Sequence, residues 1–321
     1  MLFKAQQPDH GIATRQTSGV PLGGLGAGCV ELGSDGFFRN ITINNNRTQD
    51  KRIPVSEASF LGLRVETETG IYARVLQRRS AAGESDGIAA FPRLHPHEYE
   101  WQGLYPKAHY VLKDPRCPAT VAWGAFSPII PFDLEASTLP VFFASVHCGN
   151  PTSAPMRVTV VFNWENLCGR TGTGTNAQLA TITPKSIDED EGIVSAPGRR
   201  VVSEKGKARI LPGNALVFEM KDGEDGNADG QHCLAVRYRG EDEVSLLAWD
   251  HRDAGACQAF WQTFSEQGQL MPAAEEEAGE TSGSLCLSLV LQPGEARRID
   301  YQHQLKANCL MIKWQKWHQQ Y

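Results

Sequence analysis

Between Val158 and Trp164 the chain places Val158, Val160, Phe162 and Trp164 at every second position, with Thr159, Val161 and Asn163 between them. A period of two is the repeat of a β-strand, whose side chains alternate between faces, and it cannot lie along one face of a 3.6-residue helix. The pattern predicts one drier and one wetter face. The same reading applies along most of the chain. Cys29–Leu32 and Phe37–Ile41 flank a Gly33-Ser34-Asp35-Gly36 turn, and Phe60–Val65 and Ile71–Leu76 flank a loop over residues 66–70. Further strands are predicted at Ala215–Met220, Cys233–Tyr238, Val244–Trp249 and Leu285–Leu291. Many short strands with Gly- and Pro-rich connections predict an all-β chain, a large two-sheet antiparallel β-sandwich with one or two short helices.

One helix is legible. Asp253 is placed to cap its N-terminus, Phe260, Trp261 and Phe264 share a face, and Gly268 supplies the stop. Residues 80–90, 186–192 and 272–283 read as exposed loops, the last two carrying Asp188-Glu189-Asp190-Glu191 and Glu275-Glu276-Glu277. No internal repeat is evident.

Composition removes several function classes. Hydrophobic residues make up 41% of the 321 positions and charged residues 21%, enough for a sizeable core. A net charge of −6 argues against a nucleic-acid partner, which calls for a basic face. No apolar run approaches the roughly 18 residues of a membrane span, and the polar N-terminus has no signal-peptide core, so a cytoplasmic chain is expected. The eight cysteines form no C-x-x-C pair, and Cys148, Cys233 and Cys286 lie in apolar stretches. They read as reduced, buried thiols, with neither a disulfide framework nor a zinc site.

The segments that could carry chemistry each have a plain alternative. Gly23, Gly24, Gly26 and Gly28 form a glycine-rich run. A dinucleotide fingerprint would need glycine at position 29, which is Cys29, and a strand follows instead of a helix. The remaining reading is a tight segment that lets another backbone approach closely. Asp225, Asn227 and Asp229 match the opening of a calcium loop, yet Val236 stands where the bidentate Glu belongs; an acidic hairpin turn fits the same residues. Glu165 follows a strand ending in Trp164 and would suit a glycosidase acid, but the sequence offers it no facing carboxylate, and a Glu closing an edge strand is the simpler reading. His95-Pro96-His97-Glu98 resembles a ligand cluster on an extended surface loop. Tyr99, Trp101, Tyr105 and Tyr110 are either sugar-stacking aromatics or core. No metal or cofactor is implied.

Taken together, five segments resemble glycoside hydrolase family 116, the β-glucosidases that include the non-lysosomal glucosylceramidases. They are Gly19–Gly28, Gly103–Tyr110, Ala125–Pro131, Ser137–Val141 and Phe162–Gly169, with weaker agreement from Phe260 to Leu270. The resemblance implies an N-terminal β-sandwich that precedes an (α/α)6 catalytic domain carrying a Glu nucleophile and an Asp acid/base. No residue here corresponds to either, so the chain is expected to be inactive alone. The implied partner is that helical domain, with β-glucosides or glucosylceramide reached through the full enzyme. Gly23, Gly24, Gly26, Gly28 and Arg39 are the candidates for the domain interface. Residues 1–300 are expected to form the sandwich. Residues 301–321 depart from the family pattern and read as an atypical tail, either a short amphipathic helix or the product of a truncated or frameshifted gene. A stand-alone carbohydrate-binding or protein-interaction module is the competing reading.

Overall fold

Strands with one apolar face must bury it against another sheet, and the described residues form nineteen strands in three sheets. The computed structural model describes residues 19–42, 52–79, 87–167, 180–188, 192–194, 213–220, 231–270 and 281–304. Numbered in chain order, a four-stranded sheet holds β1 (Gly19–Leu22), β2 (Cys29–Gly33), β3 (Phe38–Thr42) and β4 (Ile53–Ser56). A six-stranded sheet runs in the order β17 (Glu243–Trp249), β18 (Ser282–Leu291), β12 (Met156–Glu165), β5 (Phe60–Thr67), β6 (Gly70–Arg78), β7 (Arg93–Leu94). The nine-stranded sheet begins β14 (Gly192–Val194), β13 (Ala180–Asp188), β15 (Gly213–Met220), β16 (Gln231–Arg237). It continues β19 (Ala296–Gln304), β11 (Val141–Gly149), β10 (Thr120–Phe126), β9 (Lys107–Leu112), β8 (Tyr99–Leu104). Pairing is antiparallel apart from β6 with β7. The fold is all-β, as expected, with the N-terminal four-stranded sheet as an addition.

The two large sheets meet through aromatic rings. Phe162 and Trp164 of β12 touch Phe142 of β11 and Tyr301 and His303 of β19, and the Tyr301 hydroxyl donates to the Val160 carbonyl at 2.7 Å. Phe38 of the small sheet contacts Phe142, Phe162 and Trp164 together.

Four expectations change. β12 buries both faces, because the helix α2 (Ala254–Gln267) covers the side carrying Val161 and packs Phe260 and Phe264 against Phe60 and Trp249. The β5–β6 loop shrinks to Glu68-Thr69, since Glu66 and Thr67 stay paired. Within the segments read as loops, Asp188 pairs with Gly192, Gly87–Ala90 is a short 3-10 turn, and β18 already begins at Ser282. Finally, β19 runs through residue 300 to Gln304, and Tyr301 and His303 are wholly buried. The helix itself follows its sequence signals: the Asp253 carboxylate accepts from the Ala256 N–H at 2.6 Å, and Gly268 closes it at φ 68°. No helix among the described residues is long and apolar enough to cross a membrane.

His232 and His303 are fully buried with stacked rings, 5.8 Å between centroids, and none of their four ring nitrogens has a hydrogen-bond partner among the described residues. Their neighbours across ladder and sandwich are Phe218, Leu234, Phe142 and Trp164. Burial pushes His232 from 6.5 down to about 4 and holds His303 well below its ordinary value. The unfolded chain therefore binds more protons than the folded one between 6.5 and about 4, and stability present above 6.5 is lost as pH falls through that window. For His232 the full loss is about 3 kcal/mol. Urea unfolding across this range is expected to show the decline, and His232→Leu to flatten it; an unchanged slope in the variant would contradict this account.

Candidate functional site

The glycine-rich segment turns sharply between β1 and β2. Gly23, Gly26 and Gly28 have φ of 121°, 75° and 102°, a region that side-chain-bearing residues rarely adopt. The Gly23 N–H donates to Ser127 Oγ at 2.7 Å, and the Leu25 N–H donates to the Ser137 carbonyl at 2.8 Å. A Cβ on Gly24 would lie 2.3 Å from the Leu139 carbonyl oxygen and 2.5 Å from that of Thr138. The close approach is thus made by this chain's own β10–β11 connection. Of the interface candidates, Gly23, Gly24, Gly26 and Gly28 share this turn. Arg39 lies on β3, where it pairs with the buried Asp35 and covers the Phe37 ring at 5.3 Å.

The β10–β11 connection presents apolar side chains to solvent. It contains the one-turn helix α1 (Leu134–Ser137), capped by Asp133 accepting from Ala136 N–H at 2.9 Å, and Ser137 Oγ ties back to the Ile130 carbonyl at 3.0 Å. Ahead of it Phe132 sits at φ 69° with its ring wholly outside (108% exposed), and Leu134 is 73% exposed. Such a backbone costs a bulky residue on the order of 1–2 kcal/mol, so a fixed segment holds Phe132 outward against a local preference. Leu104 at the end of β8 and Tyr105 in the β8–β9 turn are exposed too, and the Ser127 N–H donating to the Pro106 carbonyl at 3.1 Å ties that turn to the start of the β10–β11 connection. Leu25 completes the group. These five are most of the large apolar side chains exposed among the described residues, the others being Ile71 and Val290. Leu25, Leu104 and Tyr105 fall within or beside the segments singled out in the sequence. Phe132 and Leu134 were missed, although a Pro-Phe-Asp-Leu run inside a loop is a visible signal.

The remaining candidates are structural ties. Glu165 ends β12, a central strand and not the edge strand expected, and its carboxylate accepts from Ser56 Oγ at 2.6 Å while its N–H donates to Ser59 Oγ at 3.0 Å. Pro96 starts a 3-10 turn (Pro96–Glu98) in place of the extended loop expected, because the Glu98 carboxylate accepts the His95 N–H at 2.7 Å and the rings of His95 and His97 stack. Glu98 and Asp114 share Arg116, and Tyr72 donates to Asp114 at 3.0 Å. Burial works to raise the Asp114 carboxyl, but hydrogen bonds from Arg116 and Tyr72 override it and hold the group below its ordinary value. Tyr99 and Tyr110 are core, Tyr110 stacking on Trp123 at 5.0 Å; Trp101 is half-buried and Tyr105 exposed. Asp225, Asn227 and Asp229 lie outside the described residues, as does the chain beyond Gln304.

Gly24→Ala must push the Thr138–Leu139 backbone away. It is expected to destabilise the domain by about 1–3 kcal/mol in denaturant unfolding, whereas Gly26→Ala, where a Cβ meets open space, is expected to cost only its positive-φ strain, about 1 kcal/mol.

Comparison with solved structures finds low-scoring likenesses. A polysaccharide lyase matches at 8% identity and TM-score 0.36, over 94% of this chain and 35% of that one. A protein from the human microbiome described as a kojibiose phosphorylase matches at 8% identity and TM-score 0.33, over 92% and 31%. An Escherichia coli K12 protein described as an aldose 1-epimerase matches at 8% and 0.36, over 90% and 99%. The chain thus spans about a third of the first two, and nothing about function follows from scores of this size. The family match is of a different kind, because the model described as "beta-glucosidase 2, glycosyl-hydrolase family 116 N-term" covers residues 19–321. The chain belongs to the family of glycosyl-hydrolase family 116 N-terminal domains.

Proposed function

We propose that this chain is the supporting, non-catalytic sandwich of a β-glucoside-cleaving enzyme, and that a helical catalytic domain docks on its glycine-rich end. The observation that carries this reading is that Leu25, Leu104, Tyr105, Phe132 and Leu134 are all exposed on three segments whose backbones are hydrogen-bonded to one another, the glycine-rich turn, the β8–β9 segment and the β10–β11 connection. Monomeric proteins rarely expose contiguous apolar surface without a partner for it. The close approach of Gly24 to Thr138 and Leu139 and the Leu25–Ser137 hydrogen bond tie the glycine-rich turn to the β10–β11 connection, so the two segments are presented to a partner together. Hydrolysis of β-glucosides or glucosylceramide then belongs to the full enzyme. Glu165, already bonded to Ser56 within the sandwich, has no part in it. A reducing cytoplasm suits the described cysteines, which are free and mostly buried.

The purified chain is expected to release no nitrophenol from aryl β-glucosides; turnover abolished by Glu165→Gln would overturn the non-catalytic reading. Docking is measured by calorimetry with a family 116 helical domain added in trans. Phe132→Ser is expected to weaken binding at least tenfold, about 1.4 kcal/mol, as loss of an interface anchor does. Ile71→Ser, on the distant β5–β6 hairpin, is expected to leave it unchanged. Equal effects of the two would place the contact elsewhere.

A further inference from the structure

The nine-stranded sheet turns one face to the core and the other outward, and across β9, β10, β11 and β19 the register fixes which side chains share the outer face. His109, Gly124, Ser145 and Asp300 lie opposite one another in one row. The next row holds Val111, Ala122, His147 and Arg298, and the row on the other side holds Lys107, Phe126, Phe143 and Gln302. Gly124 can bear no side chain, because a Cβ would sit 2.1 Å from the Ala108 carbonyl oxygen, and Ala122 bears only a methyl. Two strand spacings separate β9 from β11, so a floor about 10 Å wide lies between taller side chains.

The walls of this trough are built. Ser145 Oγ donates to Asp300 Oδ1 at 2.6 Å, and Arg298 donates through Nε to the same oxygen at 2.6 Å and through Nη2 to Ser145 Oγ at 3.0 Å. This triad fixes the β11–β19 side. His109 on β9 and His147 on β11 are both exposed, on either side of the floor strand β10. The Phe126 and Phe143 rings stack at 5.2 Å and 22° and close one end, half-buried. Arg298 is neutralised by Asp300. His147 is held below its ordinary value, first by partial desolvation and then by Arg298, with Asp300 opposing. Apart from Lys107 the trough presents the two histidines, the paired Arg298–Asp300 group and Ser145 as donors and acceptors, next to the Phe126 and Phe143 rings.

That combination suits a ligand that is neutral, rich in hydroxyls and apolar on one face. A phosphate would want uncompensated cations, and a peptide strand would want a free sheet edge, which this inner region of the sheet lacks. We propose that the trough binds a pyranose sugar, its C–H face toward Phe126 and Phe143 and its hydroxyls toward His109, His147, Arg298 and Asp300. Aromatic faces offer the large apolar contact area such a ring needs, and the paired Arg298–Asp300 group offers both donors and an acceptor. The site lies on the sheet face and does not rest on the docking reading, since Phe132→Ser leaves its residues untouched.

The test titrates the full 321-residue chain with D-glucose, D-galactose, D-xylose and cellobiose, and separately with inorganic phosphate, following backbone amide shifts and heat. Saturable millimolar binding of at least one sugar is expected, weakened tenfold or more in the His109→Gln/His147→Gln double variant. Both histidines are exposed, so the melting temperature is expected to stay that of the parent chain. Phe126→Ala gives a second reading from the closed end, where loss of the ring is expected to weaken sugar binding as well. The proposal is overturned if no sugar saturates, if binding survives the double variant, or if phosphate binds in preference to every sugar.

Discussion

Phe38 is the ring on which three sheets converge. It belongs to the small N-terminal sheet, stacks on Phe162, meets Trp164 edge-on and packs against Phe142, so it closes a gap that neither large sheet fills alone. Close packing makes such a position unforgiving: a missing ring leaves a cavity lined by three elements that cannot collapse together. The Tyr301–Val160 hydrogen bond fixes the same region from the other side, binding β19 to β12 across the sandwich. With the sheets locked there, the loops at their ends are set in position, and the glycine-rich turn can be held against the β10–β11 connection.

The second anchor is polar. Arg64 is buried beneath α2, donating through Nε to the Ser265 carbonyl at 2.9 Å and through Nη2 to the Glu266 carbonyl at 2.8 Å. The last carbonyls of a helix have no partners within it and carry the negative end of its dipole, so a guanidinium from a neighbouring strand satisfies both demands. Thus α2 is fastened at its start by Asp253 and at its end by Arg64 and Gly268. That fastening turns the outer side of β12 into interior.

Much of this was legible in the sequence where the signal is local. The strands around β2, β5, β6, β12 and β15–β18, the cap at Asp253 and the stop at Gly268 follow from alternation and capping chemistry. What the sequence concealed depends on tertiary placement. The wet face assigned to Thr159, Val161 and Asn163 is dry because a helix from a hundred residues away lies on it. Glu165 reads as an edge residue because nothing local reveals strands on both sides of β12. The boundary drawn at residue 300 cut β19 because Tyr301, Gln302 and His303 look like a polar tail until the core around them is visible. The trough on the outer sheet face gathers residues from four strands between His109 and Asp300, a grouping that only register creates.

The strand order also bears on how the chain is made. β18 sits between β17 and β12, and β19 sits between β16 and β11, so the last two of the described strands occupy interior positions of both large sheets. Until they leave the ribosome, β11 and β12 lack a hydrogen-bonding neighbour along one side, Phe142 and Trp164 lack the His303 ring, and Phe162 lacks Tyr301. Long-range pairings of this kind are slow to form and leave strand edges open while they wait. The nascent sandwich therefore cannot complete either large sheet until β18 and β19 have been made.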